Sequence, residues 1–86
     1  IKNYNFIHRY LLILLINLIM AKIQLNGKKI TIKSNFSILD LVKKYKLSNK
    51  KIAIEYNGAI IQKVNYKQKY LKNGDKLEIV HFIGGG

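Results

Sequence analysis

The chain contains no cysteine and no proline, and only four of its 86 residues are acidic. The lack of cysteine excludes a disulfide framework, a thiolate metal site and a cysteine nucleophile within the chain itself. It also fits a reducing compartment. A domain of this length buries about 60% of its unfolded surface, which leaves room for one modest core. We therefore expect a single small domain without a deep catalytic cleft.

Positive charge is abundant, because sixteen basic residues against four acidic ones give a formal charge of +12. Only Arg9 is an arginine, whereas base and phosphate recognition prefer the planar guanidinium fork. The lysines would attract nucleic acid or anionic membranes weakly, and an acidic partner protein is a third option. We favour a solvated, lysine-rich surface over these specific roles.

Residues 1–19 differ from the rest of the chain. Their apolar run, 11–16, stops at Asn17 and is shorter than the roughly 20 residues that span a bilayer. A signal peptide would need a small-residue cleavage site, and only Ala21 is small nearby. A complete domain pattern follows the first methionine, Met20. We therefore expect Met20 to be the natural start and the preceding residues to be an upstream extension; the alternative is a targeting or membrane-surface segment.

Three Asn-Gly turns divide the rest of the chain into short segments in which apolar and polar residues alternate, as in half-buried strands. If Asn26 and Gly27 form the first turn, Ile23 faces Ile30 and the apolar residues of the hairpin share one face. This agreement between turn and pattern predicts a hairpin. The five predicted strands lie at 22–25, 30–33, 52–56, 59–62 and 76–83.

One helix is predicted to begin after Ser37, whose side chain would cap it. Asp40 stands three residues later, in the capping-box position. Apolar residues follow at helical spacing, and lysines fall in the second half, where cations suit the helix dipole. The apolar stripe consists of Ile38, Leu41, Val42 and Tyr45.

A hairpin, one helix and three further strands favour an α+β domain, in which a mixed sheet of four to five strands carries the helix on one face. We place the last strand in the middle of the sheet, parallel to the first. Leu77 and Ile79 then face the core, and Val80 and Phe82 lie on the open face. An exposed apolar patch on a small monomer often marks a partner site. Alternatively, the segment 64–71, predicted as a loop with one helical turn, covers these two side chains.

The last strand leads directly into Gly84, Gly85 and Gly86. Glycine has no Cβ and leaves such a stretch loosely ordered, so a working carboxylate on Gly86 explains this end better than packing does. The alternative is that the glycines are a frayed terminus or a flexible linker without a function of their own. The order of elements together with this end resembles the β-grasp (ubiquitin-like) fold and, more closely, the ThiS family of sulfur carriers of thiamine biosynthesis. The resemblance covers 20–86, and the residues that carry it are 20–27, 37–42, 54–58, 73–75 and 78–86.

The resemblance implies a carrier with no catalytic residues, bound cofactor or metal site of its own. A ThiF-class (E1-like) adenylating enzyme would use ATP to convert the Gly86 carboxylate into an acyl-adenylate. Sulfur from a persulfide donor would replace the AMP, and a ThiG-class thiazole synthase would accept sulfur from the resulting thiocarboxylate. Gly84 and Gly85 would form a thin, flexible stalk. The expected partner-docking residues are Val80, Phe82 and Ile83.

The same resemblance implies a protein that is monomeric when free and works in the cytoplasm, or in the plastid stroma if it is plastid-encoded. It implies no specific nucleic-acid partner, and no membrane contact through 20–86. The carrier of molybdopterin synthase and a ubiquitin-like modifier are related alternatives. The short chain and the ending from His81 to Gly84 favour the thiamine branch.

A basic RNA-binding module is the alternative from a different class. It would need aromatic side chains on a basic sheet face, and Tyr56, Tyr66 and Tyr70 are the candidates. His81 is expected to be structural, since it stands alone in a strand. The acidic residues are scattered in the sequence and form no paired-carboxylate or metal motif. They are Asp40, Glu55, Asp75 and Glu78.

Overall fold

The structure is a computed structural model that describes residues 2–82, with side chains from residue 6 onward. The predicted tail residues, Ile83 to Gly86, lie outside the described residues. Within 2–82 there are two α-helices and five β-strands. In chain order they are α1 (Lys2–Ile19), β1 (Met20–Leu25), β2 (Lys28–Lys33), α2 (Ile38–Lys44), β3 (Ile52–Tyr56), β4 (Ala59–Ile61) and β5 (Lys76–His81).

The five strands form one mixed sheet in the order β2-β1-β5-β3-β4. The central strand, β5, runs parallel to β1, as predicted, and pairs antiparallel with β3. Ile23 pairs with Ile30 in the first hairpin, so the predicted register is also confirmed. The α+β prediction therefore holds, with the upper of the two expected strand numbers.

The two hairpin turns follow directly from their Asn-Gly sequences. Both residues have positive φ in each turn: 49° and 83° at Asn26 and Gly27, and 49° and 90° at Asn57 and Gly58. Positive φ at both central residues is the geometry of a type I′ turn, which matches the twist of the flanking strands. These turns set the register of β1 with β2 and of β3 with β4.

Helix α2 begins with the predicted capping box. The Asp40 amide donates to Ser37 Oγ at 3.0 Å, and the Ser37 amide donates to an Asp40 carboxylate oxygen at 3.0 Å. Ile38, Leu41 and Val42 are buried against the sheet. The inclusion of Tyr45 in the stripe was wrong: the helix ends at Lys44, and Tyr45 has already left helical geometry and is exposed.

The segment between β4 and β5 packs against the start of α2 and leaves the open face of the sheet uncovered. It begins with a 3-10 turn, Lys63–Asn65, and contributes Tyr66 and Leu71 to the core. The backbone amides of Ile38 and Leu39 donate to carbonyl groups of this segment at 2.9 and 3.1 Å. Amide groups in the first turn of a helix have no intrahelical partner, and this segment supplies acceptors for two of them. The alternative that it covers Val80 and Phe82 is therefore wrong.

Helix α1 precedes the sheet, and its described side chains, 6–19, are all exposed. It is joined to the sheet domain through Ser34, whose amide donates to the Ile19 carbonyl at 2.8 Å and whose hydroxyl donates to the Leu18 carbonyl at 2.9 Å. The helical form of this segment was not predicted. Within residues 2–82, no helix combines the length and hydropathy needed to cross a membrane.

Candidate functional site

The site is organised around β5, because the chain leaves the sheet at the end of this strand. Its pairing with β3 continues to His81, opposite Ile52, and the Phe82 amide then donates to the Lys51 carbonyl at 2.8 Å. Backbone pairing to β3 therefore extends to the residue immediately before the predicted tail. His81, expected to be structural, has an exposed side chain and does not belong to the core.

On its other side, β5 overlaps only the last two residues of β1, and a side chain continues the pairing beyond the end of β1. The backbone ladder includes a bond from the Asn26 amide to the Leu77 carbonyl, at 2.9 Å. Beyond it, Asn26 Oδ1 accepts from the Ile79 amide at 2.7 Å, and Asn26 Nδ2 donates to the Ile79 carbonyl at 3.4 Å. The sequence predicted Asn26 only as a turn residue. Nothing in the local pattern indicates this second contact, because Ile79 is far away in sequence.

The start of β5 is held by a buried carboxylate, Asp75. Asp75 accepts from the Tyr56 hydroxyl at 2.8 Å, from the Lys72 amide at 2.9 Å and from Asn57 Nδ2 at 3.2 Å. Burial raises the pKa of Tyr56 to about 12, and the hydrogen bond and negative charge of Asp75 act in the same direction. The ammonium group of Lys69 lies 4.6 Å from the centre of the Tyr56 ring. Asp75 thus has a structural role, because its hydrogen bonds hold the start of β5 in place.

Two of the three predicted docking residues, Val80 and Phe82, lie on the open face, on the side of the sheet away from α2; the third, Ile83, lies outside the described residues. Val80 is 56% exposed and Phe82 is 51% exposed. Leu77 and Ile79, with the opposite side-chain direction, are buried as predicted. This alternation confirms the predicted faces of β5, while the docking role itself stays a prediction.

A shallow groove of about 370 Å³ lies beside Phe82 and was not predicted. The groove forms because β4 ends at Ile61, opposite Ile54. The first two residues of β3 therefore have no partner on β4. Two exposed apolar side chains on the wall of the groove, Ile60 and Val64, are 66% and 72% exposed. Strand alternation in the sequence could have placed Ile60 on the open face. The position at which β4 ends could not have been predicted, because it depends on tertiary structure. The groove is lined by Ile52, Ala53, Ile60, Ile61, Gln62, Lys63, Val64, Tyr66 and Phe82.

Two of the acidic residues, scattered in the sequence, are brought together by the sheet. Glu55 on β3 is directly opposite Glu78 on β5, next to the pair formed by Ala53 and Val80. Both glutamates project from the open face, because the residues that alternate with them face the core. Within residues 2–82, no group of three or more His, Cys, Asp or Glu side chains is arranged to hold a metal ion.

The aromatic residues do not form the platform that an RNA-binding module would need. Tyr66 is buried in the core. Tyr56 lies on the core side of β3 with Ile54, and its hydroxyl is engaged by Asp75. Tyr70 is exposed, but it lies beside the start of α2, where its backbone forms a bridge with Ser37. These three tyrosines therefore offer no shared stacking surface on the open face of the sheet.

Comparison with known proteins gives a consistent result. The family model described as the ThiS family matches residues 16–86. The sulfur carrier protein ThiS of Bacillus subtilis (strain 168) is 45% identical over 65 residues, which are 74% of this chain and 98% of that protein. The crystal structure of the thiamine biosynthesis protein ThiS from Geobacter metallireducens aligns with a TM-score of 0.65 and 25% identity, covering 76% of this chain and 99% of the other.

An NMR solution structure of a thiamine biosynthesis protein from Geobacter metallireducens aligns with a TM-score of 0.61 and 25% identity. It covers 76% of this chain and 87% of the other. The arrangement of the five-stranded mixed sheet and α2 is accordingly a β-grasp fold. The matches agree with the resemblance seen in the sequence and favour the thiamine branch over the molybdopterin branch. The chain belongs to the ThiS family, the sulfur carrier proteins of thiamine biosynthesis.

Proposed function

We propose that this carrier transfers sulfur as a thiocarboxylate on Gly86. A ThiF-class enzyme attaches the carboxylate to the α-phosphate of ATP, with release of pyrophosphate, and so creates a good leaving group on a poor acyl donor. The terminal sulfur of a persulfide displaces AMP, and a thiol then cleaves the S–S bond to leave the thiocarboxylate. A ThiG-class thiazole synthase accepts the sulfur. The chain acts as a co-substrate in each step.

The observation that carries this proposal is the anchoring of β5 through Phe82 on a central strand. The next four residues span roughly 13 Å when extended, which is enough to enter the active site of a neighbouring enzyme. Gly84, Gly85 and Gly86 present no side chain that would widen such a segment. A rigid strand followed by a narrow segment suits delivery of a carboxylate to a partner.

Docking contacts must offset the loss of entropy when the tail is ordered. Fixing the backbone costs on the order of 1–2 kcal/mol per residue. We assign these contacts to Val80, Phe82 and Ile83. The exposure of the first two, on the open face beside the end of β5, supports this assignment.

The test is intact-mass measurement of the carrier after incubation with ATP, the ThiF-class enzyme and a sulfide source. We expect a mass gain equal to the replacement of one oxygen atom by sulfur. Deletion of Gly86, or addition of one residue after it, should abolish the gain. Substitution of Lys29 by Gln, on the edge strand β2 and separated from β5 by β1, is the matched control and should retain it. A full gain in the variant without Gly86 would contradict the proposed site.

We further propose that the free carrier is a monomer and has no resident cofactor, since ATP is consumed by the partner enzyme. A cytoplasmic location is consistent with the similarity to bacterial relatives. Size-exclusion chromatography with light scattering tests the monomer, and a dimer mass at micromolar concentration would contradict it.

A further inference from the structure

The open face of the sheet carries more than the two apolar residues of β5. Next to them lie the glutamate pair and the groove beside Phe82. We propose that this surface, formed by Glu55, Glu78, Ile60, Val64 and Phe82 and called here the acidic–apolar face, docks a partner protein that places an arginine or lysine next to an apolar side chain. The inference rests on the proposed function, because it concerns how the adenylating enzyme holds the domain while the tail is used.

The glutamate pair is the feature that specifies a cation on the partner. Directly opposed residues of antiparallel strands have Cβ atoms roughly 4.5–5.5 Å apart, and like charges in this position are unfavourable for the sheet. The chain has only four acidic residues, of which Asp40 caps α2 and Asp75 holds β5. The remaining two, Glu55 and Glu78, are placed opposite each other. An arrangement that is unfavourable in the free domain becomes favourable when a cation docks between the two carboxylates.

The groove supplies the apolar half of the surface. Ile60 and Val64 are the most exposed large apolar side chains described between β1 and the end of β5. Tyr66 also lines the groove, and its buried hydroxyl has no hydrogen-bond partner among the described residues. An apolar side chain entering the groove would bury Ile60, Val64 and Phe82 together. A concentration of exposed apolar surface of this kind marks a protein interface.

The charges around this surface decide between classes of partner. Lys76 precedes Glu78 by two residues on the same face, so the glutamate pair is a local exception on a basic protein. Phosphate groups or an acidic protein would be repelled by the pair at the point where the apolar contacts lie. A basic group would be attracted, and charge complementarity then orients the domain with β5 directed at the partner.

The test compares affinities for the ThiF-class adenylating enzyme from the same organism, measured by isothermal titration calorimetry. The double variant Glu55→Gln and Glu78→Gln should raise Kd about tenfold and flatten its dependence on salt, because a charge-assisted contact is lost. Ile60→Ser should also raise Kd, by severalfold. Lys29→Gln, on the same face but on strand β2, should leave Kd within about twofold.

Folding and function are controlled separately. The double glutamate variant should have a Tm no lower than that of the unsubstituted protein, since repulsion is removed, and this excludes misfolding as the cause of weaker binding. An unchanged Kd in that variant, with normal mass gain in the unsubstituted protein, overturns the inference and leaves the proposed function intact. A larger loss from Lys29→Gln than from the glutamate variant also overturns it, because the partner would then be acidic. Absence of both binding and mass gain in the unsubstituted protein contradicts the proposed function itself.

Discussion

At the scale of single residues, the central strand is held by two side chains from turns. Asn26 continues the pairing to β5 beyond Leu25, where β1 ends, and Asp75 accepts three hydrogen bonds at the point where β5 begins. Buried or half-buried polar groups of this kind stabilise a fold when all members have partners. Asn26 and Asp75 both hold β5, the strand that leads to the proposed site. The strength of their hydrogen bonds therefore affects how firmly that site is positioned.

Asn26→Gly should lower the free energy of unfolding by about 1–2 kcal/mol, because the Ile79 backbone loses its partners while glycine still permits the positive φ of the turn. Asn26→Asp keeps the acceptor and loses the donor, so its free energy of unfolding should lie between those of the unsubstituted protein and the glycine variant. Urea unfolding measures stability, and hydrogen exchange at the Ile79 amide reports the local effect. Unchanged exchange at Ile79 in the glycine variant would show that the bond has no energetic weight.

Tyr56 should ionise only at high pH, because its pKa is raised to about 12 by burial and by Asp75. A raised pKa in the folded state means that the stabilisation is complete below the unfolded value of about 10 and is lost as the pH rises towards 12. Absorbance titration of phenolate should show a late step that Tyr56→Phe diminishes by one tyrosine; the remainder belongs to Tyr66, whose pKa is also raised by burial. Tyr70→Phe, which alters an exposed ring, should leave that step in place. A titration without a late step would contradict the hydrogen bond to Asp75.

At the scale of elements, α2 depends on the capping box at its first turn. Ser37→Ala should lower the free energy of unfolding by about 1 kcal/mol, since an amide of the first turn loses its acceptor. Ser48→Ala is a matched control, because Ser48 precedes a 3-10 turn without making a side-chain capping bond. Equal effects of the two substitutions, measured by chemical unfolding, would argue against the cap.

Helix α1 should contribute little to the stability of the sheet domain, because its described side chains are all exposed. A chain that begins at Met20 should keep its fold, with a loss confined to the two bonds that Ser34 makes to Leu18 and Ile19. We expect amide resonances from β3 and β5 to be unchanged and Tm to shift by only a few degrees. Loss of dispersed resonances in the shortened chain would show that α1 is part of the folding unit.

At the scale of the whole molecule, the fold brings the chain out of the sheet at the end of its central strand. Pairing on the β3 side continues through Phe82 and gives a firm base for the residues that follow, and the acidic–apolar face lies beside that exit. Helix α2 and the 63–71 segment occupy the opposite face of the sheet. The face covered by α2 thus stabilises the domain, and we assign the open face to contacts with partner proteins.

Phe82→Ala should impair sulfur loading without unfolding the domain, because the ring is half exposed and lies next to the groove. We expect kcat/KM for the adenylating enzyme to fall about tenfold, mainly through a higher KM for the carrier. Tyr45→Ala, which removes an exposed ring at the end of α2, should leave these constants unchanged. Equal kinetics for the two variants would rule out Phe82 as a docking residue.

Much of the fold was predictable because its signals are local. The Asn-Gly pairs demand positive φ and so define both hairpins, and Ser37 with Asp40 defines the start of α2. Alternation along the last strand separated Leu77 and Ile79 from Val80 and Phe82, and the exposures agree. The error at Tyr45 arose because helical periodicity does not indicate where a helix ends.

The sequence by itself therefore determined the elements from Met20 onward, the faces of the strands and the family, because turn geometry, capping and alternation act between near neighbours. Only the tertiary structure decided which distant residues meet. Glu55 faces Glu78 because of the pairing of β3 with β5, and Asn26 reaches Ile79 across 53 positions. The segment 63–71 has no period of its own, and it takes its shape from the helix amides that it satisfies. The pairing of strands that are distant in sequence and the long-range hydrogen bonds depend on packing as a whole, and no local pattern encodes them.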